Sequence, residues 1–257
     1  MNVASNSENL NVPLALNAAQ IDAFRRDGFL AIDALTGADE IATLRAATDQ
    51  LFARTGGFQA GDSIELSAGT RRALPQIVNP ERYAPQLVAG SAFRNALAIA
   101  RQLLGPDCAP TGNHSILKPA LTGAETPWHQ DEAYWDPRDE HDALSVWLAL
   151  QPVTRDNGCM HFVAGSHRGP VQAHELVDAA AHGLRLRNPA AAQEGVACEL
   201  PAGGATVHAG RTLHYAGPNR TNAPRRALVF GFGRPPQRRA TPQHFPWQRA
   251  EWFAPNN

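Results

Sequence analysis

Residues at two distant points in the chain have the side chains and spacing of a metal site. His129 and Asp131 lie two positions apart in the stretch Trp128-His129-Gln130-Asp131. Side chains alternate in an extended segment, so both would point to the same side and could bind one ion. A histidine from a distant strand would complete a face of two imidazoles and one carboxylate, which is typical of mononuclear non-haem Fe(II) oxygenases. His214 and His208 are the candidates for this third ligand.

The length and composition of the chain fit one large domain that could position such ligands. With 257 residues, of which 43% are hydrophobic and 18% charged, it can bury a sizeable core, and we predict a single oxygenase domain over residues 1–257. A formal net charge of −1 favours neither a disordered chain nor a nucleic-acid-binding protein. The apolar runs are too short to cross a bilayer, and the N-terminus lacks the pattern of a secretory signal. Cys108, Cys159 and Cys198 form neither an even set nor a Cys-x-x-Cys pair, which fits buried thiols in a reducing cytoplasm.

The N-terminal part, residues 17–105, is predicted to be mainly helical. It follows residues 1–16, which show no apolar period and are expected to form a flexible arm. Apolar residues at helical spacing indicate three helices, with one strand between the first two. The helices are predicted near 17–28, 36–52 and 91–104, and the strand at 29–33.

Residues 55–90 are rich in glycine, proline and polar side chains and are predicted to form a long loop. Long loops within compact domains are usually functional when they are ordered. Arg71, Arg72 and Arg82 in this segment could contact an anionic substrate, or they could be solvated surface residues.

After residue 105 the pattern changes to short strands separated by turn residues. They are predicted at 114–118, 126–131, 144–151, 160–163, 205–209 and 226–232. With helices gathered at the N-terminus, this pattern predicts a mainly β fold, the double-stranded β-helix or cupin-like jelly roll, with its core at residues 106–233. An insert at 168–204, with helical potential near 176–181, could cover the mouth of the barrel. Prolines remove ladder donors from the tail, 234–257, so we expect the tail to wrap around the barrel or a second subunit.

Several motifs occur in an order that resembles one enzyme family. They are Leu117-Lys118-Pro119-Ala120, Trp128-His129-Gln130-Asp131, Trp147, Asn157-Gly158-Cys159-Met160, Gly165-Ser166-His167, and His214 through Asn219 to Arg225. Together they resemble the phytanoyl-CoA dioxygenase family of iron- and 2-oxoglutarate-dependent oxygenases over roughly residues 18–233. This family also contains ectoine hydroxylases and tailoring enzymes of secondary metabolism.

The resemblance implies an Fe(II)- and 2-oxoglutarate-dependent dioxygenase that uses O2 to hydroxylate a small-molecule metabolite and releases succinate and CO2. It implies His129, Asp131 and His214 as catalytic metal ligands, because Gly217-Pro218-Asn219 and an arginine follow His214 as they do in the family. We expect a cytoplasmic monomer or homodimer with no nucleic-acid or membrane partner.

The resemblance also places three residues at the 2-oxoglutarate site. Arg225, eleven residues after the distal histidine, resembles the cosubstrate arginine of the family, and a guanidinium suits two-point binding of a carboxylate. Strand alternation puts small residues on the face of Arg225 and favours a surface position for Arg226. Trp147 resembles a residue that lines the cosubstrate site, with a plain core tryptophan as the alternative. His114 lies where relatives contact 2-oxoglutarate, although Ile116 replaces the asparagine of ectoine hydroxylases.

Other functions compete with an oxygenase. A cupin-like protein could bind metal without turnover, and an isomerase or a zinc hydrolase could use the same barrel. Neither needs a buried anchor for a dicarboxylate, so Arg225 with Trp147 argues against both. Gly165-Ser166-His167 resembles the Pro-Gly-Ser/Thr-His signature of the family, with Ala164 in place of proline, and is predicted to be a structural turn. Because it lacks the Gly-x-Ser-x-Gly of a nucleophile elbow, a serine hydrolase is disfavoured.

Overall fold

Antiparallel strands make up most of the regular structure of the chain. The computed structural model describes residues 13–66, 73–121, 124–178, 183–192, 195–249 and 253. Its α-helices are α1 (Ala18–Asp27), α2 (Ala38–Ala53) and α3 (Ser91–Leu104). Its strands are β1 (Phe29–Ile32), β2 (Ser63–Glu65), β3 (Pro75–Val78), β4 (Ala109–Lys118), β5 (Thr126–His129), β6 (Asp139–Glu140), β7 (Ala143–Ala149), β8 (Met160–Phe162), β9 (His174–Leu176), β10 (Leu184–Leu186), β11 (Val196–Cys198), β12 (Ala205–Ala209), β13 (His214–Ala216), β14 (Arg225–Gly233) and β15 (Gln237–Arg238).

Two of the sheets pack face to face. The larger has seven strands in the order β1-β12-β7-β14-β4-β3-β2, and the smaller has four in the order β11-β8-β13-β5. One core cluster joins them, with Trp147 and Ala227 from the larger sheet and Phe162 from the smaller. The predicted fold class, a mainly β jelly roll with N-terminal helices, is confirmed.

The helices cover the other face of the larger sheet. On β14, Leu228, Phe230 and Phe232 belong to the core cluster that includes buried residues of α1, α2 and α3. Phe230 meets Phe93 of α3 edge-on, with ring centroids 5.3 Å apart. Alternate residues of β14, among them Arg225, therefore face the smaller sheet, as the period of a strand requires. None of the helices in the described ranges combines the length and the apolar composition needed to cross a bilayer.

Two segments differ from the prediction. Residues 55–90, predicted as a loop, contain β2 and β3, which extend the larger sheet beyond β4. The mainly helical part, 17–105, therefore also supplies three of the seven strands of that sheet. The insert 168–204 contains β9, β10 and β11, and Leu176 is in a strand where helical potential was predicted. These strands are only three or four residues long, which is too short for alternation to be recognised. Residues 1–12, Arg71 and Arg72 lie outside the described residues.

Candidate active site

Three side chains meet at the ends of neighbouring strands of the smaller sheet. His129 ends β5 and pairs with His214, the first residue of β13. Asp131 was expected on the strand, but the strand stops at His129 and Asp131 begins a 3₁₀ turn. Gln130 is still extended, at φ −121° and ψ 134°, so the Asp131 carboxylate remains beside the histidines. One ligand atom from each of the three residues lies within 4.8 Å of the other two.

Backbone carbonyl groups fix the orientation of both histidine rings. His129 Nδ1 donates to the Pro127 carbonyl oxygen at 2.7 Å, and His214 Nδ1 donates to that of Thr212 at 2.8 Å. Since a carbonyl can only accept, Nδ1 of each ring carries a proton, and Nε2 is the nitrogen that offers a lone pair when the ring is neutral. The two Nε2 atoms lie 3.7 and 3.4 Å from Asp131 Oδ1. The atoms that face one another are therefore two imidazole nitrogens and one carboxylate oxygen, a donor set that could hold a metal ion.

Burial and mutual charge set the protonation of this group. Burial, followed by the nearby His214, lowers the pKa of His129 to about 3, so its imidazole is neutral near pH 7. Burial alone would raise the pKa of Asp131, but His214 and His208 outweigh it and hold that pKa well below its usual value. The Asp131 carboxylate in turn outweighs burial at His214 and raises the pKa of that imidazole. A carboxylate beside a neutral imidazole is the form that binds a cation.

His208, the other candidate for the third ligand, lies beside His214, with ring centroids 4.5 Å apart, but contacts the other oxygen of the Asp131 carboxylate. Its Nε2 is 3.3 Å from Asp131 Oδ2, and Ser145 Oγ donates to the same oxygen at 2.8 Å. Oδ1 is left facing His129 and His214. The structure thus brings His214, and not His208, into the compact group. Ser145 had no predicted role. Its position on the same face of β7 as Trp147 could have indicated that it faces the cavity.

Arg225 is buried without an anionic partner among the described residues. Its side chain is only 1% exposed, and neither Nε nor Nη1 has a hydrogen-bond partner in that part of the chain. Burial lowers its pKa to about 9. Its Cζ lies 5.1 Å from the centroid of the Trp147 ring, close enough for a cation–π contact. Because unsatisfied buried charge is costly, a guanidinium without a partner among the described residues could bind an anion in this position.

A second buried basic side chain lies opposite Arg225. Lys118 on β4 is its register partner and is fully buried. Its Nζ donates to the carbonyl oxygens of Ala124 at 3.1 Å and Ala216 at 3.0 Å. Burial, with Arg225 second, lowers its pKa well below the usual value. Sequence reasoning found Lys118 only as part of a motif, and its contacts hold β4 against the loop before β5 and the end of β13.

All six predicted site residues line one cavity of about 780 Å³ between the two sheets. Its lining includes the ligand group, Arg225, Trp147 and His114. His114 Nδ1 contacts the amide of Gln76 on β3, a strand that the sequence did not predict. Tyr134, Trp135 and Leu184 line other parts of the same space. The size and largely apolar lining are typical of a small-molecule site.

The Gly165-Ser166-His167 motif supports the strand that carries His214. Ser166 Oγ donates to the Val163 carbonyl oxygen at 2.6 Å and accepts from the Leu213 N–H at 2.9 Å. His167 packs against Gly28, whose φ of 82° ends α1 and where a Cβ would collide with the His167 ring. This motif therefore has the predicted role of a structural turn.

His174 is a buried residue that the sequence did not single out. Its Nδ1 donates to the Gln172 carbonyl oxygen at 2.8 Å, and its Nε2 accepts from the N–H of Gln130 at 3.1 Å. Gln130 lies between two residues of the ligand group, so His174 fixes the backbone there. Burial lowers the pKa of His174 from 6.5 to about 4. Accepting the Gln130 N–H also requires the neutral ring.

We expect His174 to make the metal-free protein less stable in acid. Between its folded pKa of about 4 and its usual value of 6.5 the unfolded chain binds the extra proton, so the free energy of unfolding falls as the pH falls. At 1.36 kcal/mol per unit, the loss between about pH 7.5 and about pH 5 is on the order of 2 kcal/mol. Denaturant unfolding of the wild type and of His174→Gln, whose amide oxygen can accept the same N–H, should show a smaller pH dependence in the variant. Equal dependence in both proteins would contradict this account.

The site combines two imidazoles and one carboxylate on one face with a cavity in front and a buried guanidinium that has no anionic partner among the described residues, and this combination is typical of one class of site. It is the mononuclear non-haem metal site that accepts a carboxylate-bearing cosubstrate. Both the donor set and the unpaired Arg225 nitrogens fit Fe(II) and 2-oxoglutarate.

Comparison with known proteins agrees with this class. The sequence model of phytanoyl-CoA dioxygenase (PhyH) matches residues 24–227, and the chain belongs to this family. The crystal structure of EvdO2 from Micromonospora carbonacea var. aurantiaca complexed with 2-oxoglutarate has a TM-score of 0.80 and 40% identity, covering 93% of this chain and 99% of that one.

Curated relatives are more distant. A probable alpha-ketoglutarate-dependent hypophosphite dioxygenase from Stutzerimonas stutzeri is 27% identical over 214 residues, which are 80% of this chain and 74% of that protein. An ectoine dioxygenase from Sphingopyxis alaskensis is 30% identical over 162 residues, 60% of this chain and 50% of that protein. The predicted family and the predicted enzyme class, an Fe(II)- and 2-oxoglutarate-dependent dioxygenase of a small molecule that consumes O2, are confirmed.

Proposed function

We propose that His129, Asp131 and His214 hold Fe(II) and that Arg225 holds the distal carboxylate of 2-oxoglutarate. The observation that carries this assignment is the buried Arg225 guanidinium, unpaired among the described residues, in the same cavity as the ligand group. A protein that only stored a metal would have no use for an unpaired buried cation there. The same observation disfavours a zinc hydrolase and an isomerase that works without 2-oxoglutarate.

When bound, Fe(II) and 2-oxoglutarate supply oxygen activation, coupled to decarboxylation of the keto acid to succinate and CO2. The residues of the chain supply geometry and a dry environment. The Pro127 and Thr212 carbonyls keep both Nε2 atoms aimed at the ion position. Ser145 and His208 bind one oxygen of Asp131 and leave the other for the ion. Trp147 covers the Arg225 guanidinium and limits its contact with water.

An anaerobic titration tests this assignment. Fe(II) added to the purified protein with 2-oxoglutarate should produce a weak visible charge-transfer band, which a keto acid chelated to ferrous iron gives. A screen of metabolites in air should then identify a compound that stimulates succinate release. Iron binding without any effect of 2-oxoglutarate would instead favour the metal-binding protein without turnover.

The substrate is proposed to be a metabolite of secondary metabolism. Relatives named for hypophosphite and for ectoine act on very different molecules, so family membership alone does not select one. A cavity of about 780 Å³ can hold 2-oxoglutarate together with a larger compound. We further propose a single cytoplasmic domain over residues 1–257, acting as a monomer or homodimer without nucleic-acid or membrane partners. The net charge of −1 supports the last point.

We expect the product to gain oxygen and not chlorine. In related halogenases a small residue replaces the carboxylate ligand and opens an iron position for chloride, but here Asp131 lies in the ligand group. Mass spectrometry of any accepted substrate in chloride buffer should show a gain of oxygen or a loss of hydrogen, without a chlorine isotope pattern. Asp131→Gly should lose hydroxylation. A chlorinated product from the unmodified protein would refute Asp131 as a ligand.

A further inference from the structure

Glu132, the residue after Asp131, is a buried carboxylate that links separate parts of the chain. It is 3% exposed, and it does not line the large cavity. Arg211 binds it at two points, with Nε 2.7 Å from Oε2 and Nη2 2.9 Å from Oε1. Arg239 of the tail adds a third contact, Nη2 to Oε1 at 3.4 Å. Charge-assisted pairs with two parallel contacts are among the stronger polar interactions in proteins, and they fix direction as well as distance.

Arg211 belongs to the loop that precedes His214. The Glu132 N–H donates to the Gly210 carbonyl oxygen at 3.0 Å, and the Gln130 amide donates to the Arg211 carbonyl oxygen at 2.7 Å. Three polar links therefore join the turn that carries Asp131 to the loop that leads into His214. Because Asp131 lies beyond the end of β5, ladder hydrogen bonds do not set its distance from His214.

The tail reinforces the same turn. Arg239 Nε donates to the Asp139 carbonyl oxygen at 2.9 Å. The Trp247 indole N–H and the Gln248 amide both donate to the Ala133 carbonyl oxygen, at 3.0 and 2.9 Å. The backbone that immediately follows Asp131 is thus held by the tail, while the Glu132 side chain is held by both arginines.

We propose that Glu132 is a positioning residue for the metal centre, which sets the separation of Asp131 and His214 through Arg211 and Arg239. The inference rests on the proposed function, since it assumes that these two residues bind Fe(II). A metal site tolerates errors of only about 0.2 Å in ligand distance, so loosening either loop weakens binding without removing a ligand. Glu132 touches neither the ion position nor the cavity, and its effect is indirect.

The test is anaerobic Fe(II) titration, read from the visible band of the 2-oxoglutarate complex, on Glu132→Gln, Arg211→Gln and the double variant. Each single variant should lower the affinity for Fe(II) about tenfold, the lower end of the effect of changing a partner of a metal ligand. The double variant should lose little more than one single variant, because both changes break the same link. Glu175→Gln is the control, since Glu175 is also paired with arginines, Arg185 at 2.8 Å and Arg187 at 3.9 Å, and both of these belong to the insert 168–204.

Thermal unfolding of the metal-free proteins separates positioning from general destabilisation. A Glu132→Gln protein that is folded and binds Fe(II) like the wild type would refute the proposal, as would losses that multiply in the double variant. If Glu132→Gln cannot be obtained folded, the Fe(II) affinity of Arg211→Lys tests the proposal instead, because lysine keeps the charge but not the two-point contact. A wild-type affinity in that variant refutes the proposal, and a several-fold loss supports it. A wild-type protein without the band would contradict the proposed function instead, so the two failures are distinguishable.

Discussion

Replacing His214 with alanine should abolish the visible band of the Fe(II)–2-oxoglutarate complex, and replacing His129 should do the same. Each change removes one of only three ligand atoms in the compact group. Metal affinity depends on the number of ligands and on their geometry, so two remaining ligands should not retain the ion at micromolar concentrations. The measurement is the anaerobic titration at matched protein concentration.

His208→Ala distinguishes a ligand from a supporting residue. His208 faces the other oxygen of Asp131, so its loss should weaken the band without abolishing it. His161→Ala is a matched control, because His161 lies on β8 against Tyr215 and outside the lining of the cavity. If His208→Ala eliminated the band while His214→Ala preserved it, the assignment of the distal ligand would be wrong.

Arg225→Ala should raise the 2-oxoglutarate requirement at least tenfold. Losing a charge-assisted two-point contact in a buried site costs on the order of 2–5 kcal/mol, by analogy with truncating one member of a buried charge pair. The measurement is the concentration of 2-oxoglutarate that half-saturates the band. Succinate, which retains a distal carboxylate, should compete less effectively in the variant than in the wild type.

Arg226→Ala is the neighbouring control. Arg226 points to the opposite side of β14 and pairs with Asp49 of α2. Its loss should leave the 2-oxoglutarate requirement near that of the wild type. A large effect of Arg226→Ala with none from Arg225→Ala would mean that the other face of β14 binds the cosubstrate.

The local sequence pattern predicted a helix or strand correctly where its periodic pattern of apolar residues was long enough. The predicted helix at 91–104 coincides with α3, and alternation on β14 gave the correct facing of Arg225 and Arg226. The six predicted site residues also line one cavity. The motifs identified the candidate site residues, and the two-residue period of a strand predicted which face of the sheet each strand residue occupies.

The positions that sequence could not predict depend on long-range contacts. No local signal ends β5 at His129 and puts Asp131 on a turn, since that turn is held by the distant Gly210 carbonyl and by the tail. No local signal places His208 beside Asp131 either. That position follows from the pairing of β12 with β7, in which His208 lies opposite Ser145. From the sequence alone, Glu132 would be expected to be an ordinary surface glutamate. Its burial and its pairing with Arg211 depend on the fold.

The link from Glu132 to Arg211 spans 79 residues, and that from Ala133 to Gln248 spans 115. Closing loops of this length costs chain entropy that must be offset by the packing of the sheets and helices. The ion-binding geometry therefore depends on the packed sheets and tail, and a short segment around His129 cannot form it alone. A synthetic peptide that contains His129 and Asp131 should bind ferrous iron no better than any short histidine- and aspartate-containing peptide.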